Sequence, residues 1–572
     1  MTAEDANHSD SPKAALTKGD SVDDAPFDYL LNEVGMKGPF QTRFNLTFNL
    51  LFTAIVSMTY VNIVLSMSVP DHWCHVPGRE KTNFTIAEWK ELTIPRDPEA
   101  RDTGGFHKCR MYNVSVPMEL TSLNNTSGRT FEQVGCQYGW EYDHTWYTLT
   151  APSQEDWVCD KSLYVSNTFA VSRAGDVIGN LIFGQLGDSI GRRPVFFLTL
   201  FMLVFGRCIS VFTANIYWLF LVASFLGSMS TSASFQSPLA IGMEVSAPDR
   251  RGYLTMLQCL GFTLGISIMP LIGWATGDWI IFMLVTTLPG GVFLFVRKHF
   301  PESPRWLASR GKIDRCEKVL LHIAKINGTS LPPDTRAKLK KIASQKEKFY
   351  GLASLFSSWR LAKNTVLISA TWVISGLTYY TLMLNVSYLS GNPFLNFFWQ
   401  SMVELPGNIV GKTLSDRYGR RWTQAGTFVA LIMGYIILIA VMKDPNMQWL
   451  TITMVVFAKF CITITFYIIF LQCMEIYPTC VRQTGTSLAS LLGSGLGILG
   501  PYIIYLGVSI DVVYPFIILA VMALFGVIFC IFLPETLNQQ LPETLADAET
   551  FGCDQKFWQT YCNKKDKVAN II

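Results

Sequence analysis

Asp188-Ser-Ile-Gly191-Arg192-Arg193 and Asp416-Arg-Tyr-Gly419-Arg420-Arg421 repeat one pattern at an offset of 228 positions. Two further pairs keep nearly the same offset. Glu244 and Arg251 are matched by Glu475 and Arg482, 231 positions on, and Pro301-Glu302-Ser303 by Pro534-Glu535-Thr536, 233 on. Three motifs in one order at one spacing mark an internal duplication. The chain therefore reads as two similar halves.

The segments between these motifs are apolar. A helix needs about 20 apolar residues to cross the hydrocarbon core of a bilayer. Runs of that kind fall at 44–66, 162–186, 194–212, 217–241, 253–275 and 280–297 in the first half. The second half repeats them at 364–384, 394–414, 423–442, 449–471, 485–507 and 512–533. Only 16% of the 572 residues are charged, against about 25% in soluble chains. The expected fold is an all-α membrane protein of twelve transmembrane helices in two six-helix bundles, 44–297 and 364–533.

Charge orients it. Short connections after the second, fourth, eighth and tenth runs carry Arg192, Arg193, Arg250, Arg251, Arg417, Arg420, Arg421 and Arg482. The opposite short loops, 276–279, 385–393, 443–448 and 508–511, hold only Lys443. Arginine-rich loops stay in the cytosol. The tails, 1–43 and 534–572, are then cytosolic, as is the linker 298–363, whose lysines suit short helices lying under the membrane. The polar, acidic start carries no cleavable signal peptide.

Loop 68–160 falls outside and contains the sequons at Asn83, Asn113, Asn124 and Asn125, with Cys74, Cys109, Cys136 and Cys159. Four cysteines in an oxidising, glycosylated loop read as two disulfides, with three pairings open. The nine remaining cysteines sit in spans or in the cytosol and read as reduced. A net charge of +3, with no basic run interleaved with aromatics, excludes nucleic acid as a partner. No Walker A loop, metal-ligand cluster or nucleophile elbow is present, which argues against an enzyme and calls for no cofactor and no metal.

The repeated motifs suit a latch. Glycine permits a tight turn, and Asp188 or Asp416 can pair with the arginines that follow. With Glu244, Arg251, Glu475 and Arg482 they form gating sets at the cytosolic ends of both bundles. Such sets hold the inside shut and part when the bundles rock about a central site. The plainer reading of single arginines is topology anchoring.

The doubled D-x-x-G-R-R and P-E-S/T signatures resemble the major facilitator superfamily. FDYLLNEVGMKGPFQ at 27–41, PDHWCHVP at 70–77, CQYGWEYD at 136–143, DWVC at 156–159, EIYPTCVR at 475–482 and the doubled LPET at 533–536 and 541–544 narrow the resemblance. Together they are similar to the organic cation, anion and zwitterion (carnitine-type) transporter family over roughly 26–550. PESPRWL at 301–307 fits sugar porters equally well. The resemblance implies a plasma-membrane transporter working by alternating access as a monomeric unit in contact with membrane lipid. Its partner would be a small organic cation or zwitterion, driven by gradients whose coupling ion no motif names. The alternatives are an organic anion exchanger, a sugar porter and a non-transporting solute sensor.

Charge inside a span costs roughly 2.5–3.5 kcal/mol, so it usually lines a cavity. Arg173, Asp176, Glu404 and Lys459 are the candidates, and their formal charges cancel. Glu404 matches the acid with which cation transporters of the family draw in an ammonium; the alternative is an acid serving the carbonyl that Pro406 frees. Lys459 resembles a lysine of the anion and carnitine branches. Ser494 stands where the family carries Asp or Arg. Arg173 and Asp176, three apart, could also simply neutralise each other. Trp372, Tyr379 and Tyr380 resemble the family's aromatic wall for cations, with core packing as the alternative for Tyr380. Ser230, Ser234 and Ser237 form a polar stripe suited to a hydrogen-bonding wall or to close helix packing.

The orientation has a direct check. Glycosidase should shift the protein on a gel, and replacing Asn83, Asn113, Asn124 and Asn125 should abolish the shift. A shift that maps instead to the sequon at Asn327, in the cytosolic linker, would contradict it.

Overall fold

The computed structural model describes residues 26–81, 83–96, 105–113, 132–246, 251–344, 352–388, 391–478, 481–537, 539, 542, 545–552 and 555. Without water to pair with, a lipid-embedded backbone must satisfy itself, and helices do so within one segment. The first half runs α1 (Pro39–Ser66), α2 (Leu163–Ile190), α3 (Arg192–Phe212), α4 (Tyr217–Val245), α5 (Arg251–Thr276) and α6 (Trp279–Leu294). The second runs α7 (Trp359–Leu384), α8 (Pro393–Met402, then Glu404–Tyr418 after Val403), α9 (Arg420–Val441), α10 (Gln448–Ile476), α11 (Thr484–Ser509) and α12 (Tyr514–Phe532).

Among the described residues, nine of these helices are long and apolar enough to cross a membrane by length and composition, α5 from Tyr253 onward. The other three are α2, α6 and α8. The first carries Arg173 and Asp176, the second is short, and the third is broken at Val403 and carries Glu404, Lys412 and Asp416. Every apolar run expected from sequence coincides with one of the twelve helices.

Small residues let the helices approach closely. A Cβ on Gly179 of α2 would strike the Met229 carbonyl of α4, and one on Gly265 of α5 would strike the Ala54 carbonyl of α1. The serine stripe belongs to the same packing. Ser230 donates to the Gly227 carbonyl at 2.8 Å, Ser234 to Ser230 at 2.9 Å and Ser237 to Ala233 at 2.9 Å, so all three bond their own helix. The two halves meet along α2 with α11 and α5 with α8. Near the loop end of this seam, Tyr502 donates to Asn167 at 2.9 Å, and Ser162 lies 3.4 Å from the Tyr505 hydroxyl.

The long first loop settles the disulfide pairing: Cys74 bonds Cys136 and Cys109 bonds Cys159. Two small antiparallel ribbons frame them, β1 (His72–Cys74), β2 (Arg110–Tyr112), β3 (Gln133–Gly135) and β4 (Trp140–Tyr142), pairing β1 with β4 and β2 with β3. Asn83 and Asn113 are exposed; Asn124 and Asn125 lie outside the described residues.

At the opposite end the linker forms helices Pro304–Ser309, Ile313–Asn327 and Thr335–Ser344, and a helix Pro26–Val34 packs on them. Leu30, Leu31, Val34 and Phe40 share one buried cluster with Leu320, Ile323 and Leu339. Asn327 locks this joint. Its Nδ2 donates to the carbonyls of Val34 (3.1 Å) and Gly35 (2.9 Å), and its Oδ1 accepts from the Phe40 N–H at 3.0 Å. Asn327→Asp turns the donor into an acceptor facing two carbonyls. Leaving buried polar groups unsatisfied costs about 1–3 kcal/mol. The variant should therefore unfold at lower temperature in detergent than wild type, and equal thermal unfolding would contradict the clasp.

Candidate functional site

Two buried charge clusters face each other from the two halves, joined by neighbouring tyrosines of α7. In the second half, the break after Val403 places Glu404 on the first turn of the inner segment of α8. Its carboxylate lies 3.1 Å from Lys459 Nζ of α10, with the Lys and Glu side chains only 3% and 6% exposed. The Tyr379 hydroxyl donates to the same carboxylate at 2.6 Å, and Lys459 Nζ sits 3.1 Å from the centre of the Tyr379 ring. Carboxylate, ammonium and aromatic face thus occupy one spot. That is the local environment an exogenous ammonium would need, with a lysine already in it.

In the first half, Arg173 and Asp176 of α2 approach to 3.6 Å. The pair is more than self-neutralising. Arg173 Nη1 donates to the Tyr60 hydroxyl of α1 at 2.6 Å, and its guanidinium lies 3.6 Å from the Tyr380 ring centre. Ser232 of α4 donates to Asp176 at 2.5 Å. Tyr380 is therefore both a member of a buried apolar cluster and a contact between halves.

Trp372 lies two turns from Tyr379 on α7, against Phe466 (5.6 Å between ring centres) and Phe470. Phe466 also meets Tyr379, at 6.0 Å, so the aromatic wall is continuous. A Cβ at Gly493 would meet Trp372, and Ser494, the next residue of α11, is half-buried.

Arg207 of α3 is a further buried charge within a span. Counting only four cancelling charges overlooks it, although the rule that finds Arg173 also finds an arginine inside the run 194–212. Arg207 is 1% exposed, and added to Arg173, Asp176, Glu404 and Lys459 it brings their formal sum to +1 rather than zero.

The repeated motifs assemble within each half. Gly191 and Gly419 adopt φ of +116° and +90°, which favour glycine. A Cβ at either would also fall on the carboxylate of Glu302 or Glu535. Glu302 accepts from the N–H of Arg192 (2.9 Å) and Arg193 (3.2 Å). Glu535 accepts from those of Arg420 (2.8 Å) and Arg421 (3.1 Å). Each carboxylate thus caps the positive end of α3 or α9.

The side chains follow the same symmetry. Arg192 lies 3.6 Å from Glu244 and donates to the Gly187 carbonyl at 3.2 Å. Arg420 grips Glu475 through two nitrogens at 3.1 and 3.2 Å, lies 3.4 Å from Asp416, and donates to the Ser415 carbonyl at 3.2 Å. The side chains of Asp188, Arg251 and Arg482, and all of Arg250, lie outside the described residues. The sequence pointed to the P-E-S/T repeat but not to Glu302 and Glu535 as caps.

Comparisons with known proteins agree with this architecture. The family model described as "Sugar (and other) transporter" matches residues 131–547. Human "Organic cation/carnitine transporter 2" is 29% identical, over 91% of this chain and 93% of its own length. Mouse "Solute carrier family 22 member 21" is 30% identical, over 91% of this chain and 93% of its own. The inward-open xylose transporter XylE from E. coli superposes with a TM-score of 0.58 at 14% identity, over 89% of this chain and all of its own, which speaks to the fold. Shared motifs, duplicated helical architecture and full-length similarity give one conclusion: the chain belongs to the sugar (and other) transporter family of major facilitator proteins, within its organic cation/carnitine group, solute carrier family 22, whose members are transporters and not enzymes.

Proposed function

We propose that the protein carries a small organic cation or zwitterion across the plasma membrane by alternating access, binding its ammonium at Glu404 and Tyr379. The observation that carries this is the buried Glu404–Lys459 pair, 3.1 Å apart beneath an aromatic face. An ion pair out of water gains little net stability, because desolvation offsets the attraction. Its retention in the middle of a bundle speaks for use. Lys459 acts as a resident stand-in for substrate at Glu404 until an ammonium displaces it. Carnitine, after which the human relative is named, has the matching chemistry, a fixed cation and a carboxylate.

The wider reading is a twelve-span protein with both termini in the cytosol and glycans on loop 68–160. Residues 44–297 and 364–533 act as two bundles, joined by the linker 298–363. Trp372, Tyr380, Arg173, Asp176 and Ser494 extend the binding surface towards both halves. The sets around Arg192 and Arg420, with Arg193, Arg421, Glu244, Glu475, Asp188, Asp416, Arg251 and Arg482, brace each bundle's cytosolic end and exchange partners when the cleft closes there.

Glu404→Gln keeps the volume and removes the charge, so apparent affinity for a simple monoamine should fall at least about tenfold, about 1.4 kcal/mol. Lys459→Gln removes a competitor for Glu404 and should leave monoamine affinity equal or better. Concentration-dependent uptake, normalised to surface protein, decides. Unchanged affinity in Glu404→Gln would overturn the assignment.

A further inference from the structure

The return limb of the first loop, 147–154, is knitted to the first half. The Thr148 N–H donates to the Gly277 carbonyl at 2.9 Å, and the Trp279 N–H donates to the Leu149 carbonyl at 3.1 Å. Gln154 Oε1 accepts from the Trp279 indole N–H at 2.9 Å. Gly277, at a φ of +63°, makes room for this seam, since a Cβ there would meet the Thr148 hydroxyl at 2.9 Å. A limb bonded to the turn between α5 and α6 moves with that turn.

One side chain of the limb crosses to the second half. The ring of Tyr147 lies 4.9 Å from that of Phe394, centre to centre. Its hydroxyl donates to Ser68 Oγ at 3.1 Å, just past the end of α1, so the polar tip pins the ring to the first half. Phe394 stands in the first turn of α8 and is 1% exposed. Asn392 fixes that turn by accepting from the Phe394 N–H at 2.9 Å. On α5, Phe394 rests on Gly273, where a Cβ would come within 3.0 Å of the ring. One buried apolar cluster takes Ala151 and Trp157 from the loop, Leu65 and Met269 from the first half, and Leu384 and Phe397 from the second. The loop is therefore part of what closes this end. Phe394 and Glu404 also share α8: ten residues separate them, about 15 Å of helix. Alternating access opens one end at a time. For the loop end to open, the outer segment of α8 must leave α5, and Phe394 must leave both Gly273 and Tyr147.

We propose that Tyr147, a residue of the loop and not of any span, is the bolt of the outer gate: its ring, held at Ser68, keeps Phe394 seated on α5 and so keeps the loop-side path to Glu404 shut. This rests on the alternating-access reading above and adds to it the residue that controls opening on the loop side. The test needs no substrate, so it can fail while the ammonium assignment stands.

Ser166 of α2 serves as reporter: it is 7% exposed and shares a recess at the neighbouring seam with Leu384, Pro501 and Ile504 of the second half. Ser166→Cys is labelled in intact cells with a membrane-impermeant biotin maleimide, with the protein lacking this cysteine as blank and rates normalised to surface protein. Adding Tyr147→Ala should speed labelling several-fold, up to about tenfold, the scale of one lost aromatic contact. Tyr147→Phe keeps the ring but loses Ser68, and should fall between. Tyr147→Ala combined with Phe394→Ala should label no faster than Phe394→Ala alone, because both remove the same contact. An unchanged rate in Tyr147→Ala beside a faster one in Phe394→Ala would overturn the role of the loop. Full additivity of the two would overturn the pairing. No labelling of any variant in intact cells, or labelling only after permeabilisation, would overturn the outer gate, while the uptake test on Glu404→Gln is untouched. Should Tyr147→Ala fail to reach the surface, Tyr147→Phe with and without Phe394→Leu carries the comparison, where a rate equal to that of Ser166→Cys alone overturns the proposal.

Discussion

An ionised group in the middle of a bundle is costly unless another charge answers it, and this constraint organises the interior. The Glu404–Lys459 pair meets it within the second half, 3.1 Å apart and shared with the Tyr379 hydroxyl. Arg173 and Asp176 meet it within the first. Removing one partner of such a pair costs roughly 3–5 kcal/mol, because the other is stranded without water. A ligand that presents the missing charge can therefore exchange with a resident one at modest net cost. Under the proposed function, a structural necessity becomes a binding device. The rings of Tyr379 and Tyr380 each lie under a cation, the Lys459 ammonium of the same half in one case and the Arg173 guanidinium of the other half in the second.

The repeated glycine–arginine motifs answer the same constraint differently. Glu302 and Glu535 spend their charge on backbone N–H groups at the starts of α3 and α9, and Glu244 and Glu475 on the arginines beside them. All these contacts lie inside one half. They hold the end of each bundle together without crossing the seam of α2 with α11 and α5 with α8. The clasp of Asn327 ties the N-terminal helix and the linker to the first bundle, which gives that bundle a broader rigid base.

Much of this was legible in the sequence because the decisive signals are local. Apolar runs located the twelve helices, and the duplicated glycine turns fell between α2 and α3 and between α8 and α9 as expected. Glu404 and Lys459 stood out as charges in apolar surroundings, and the structure brings them together with Tyr379. What escaped is what depends on distant partners. The capping role of Glu302 joins residues 110 positions apart, and that of Glu535 joins residues 115 apart. The disulfide pairing needed the ribbons β1–β4 and β2–β3 to bring the cysteines into register. The serine stripe suited either a wall or close helix packing, and its hydroxyls bond back to their own helix, a choice that spacing does not reveal. Arg207 is a different lesson: its signal was present in the run 194–212, and the count of charges was incomplete.

The central claim is that substrate ammonium takes Glu404 from Lys459. A structure determined with carnitine bound tests it most directly. The account predicts the trimethylammonium against Glu404 and the Tyr379 ring, with Lys459 Nζ withdrawn beyond ion-pair distance, about 4 Å. Carnitine bound elsewhere, with Glu404 and Lys459 still at 3.1 Å, would contradict it.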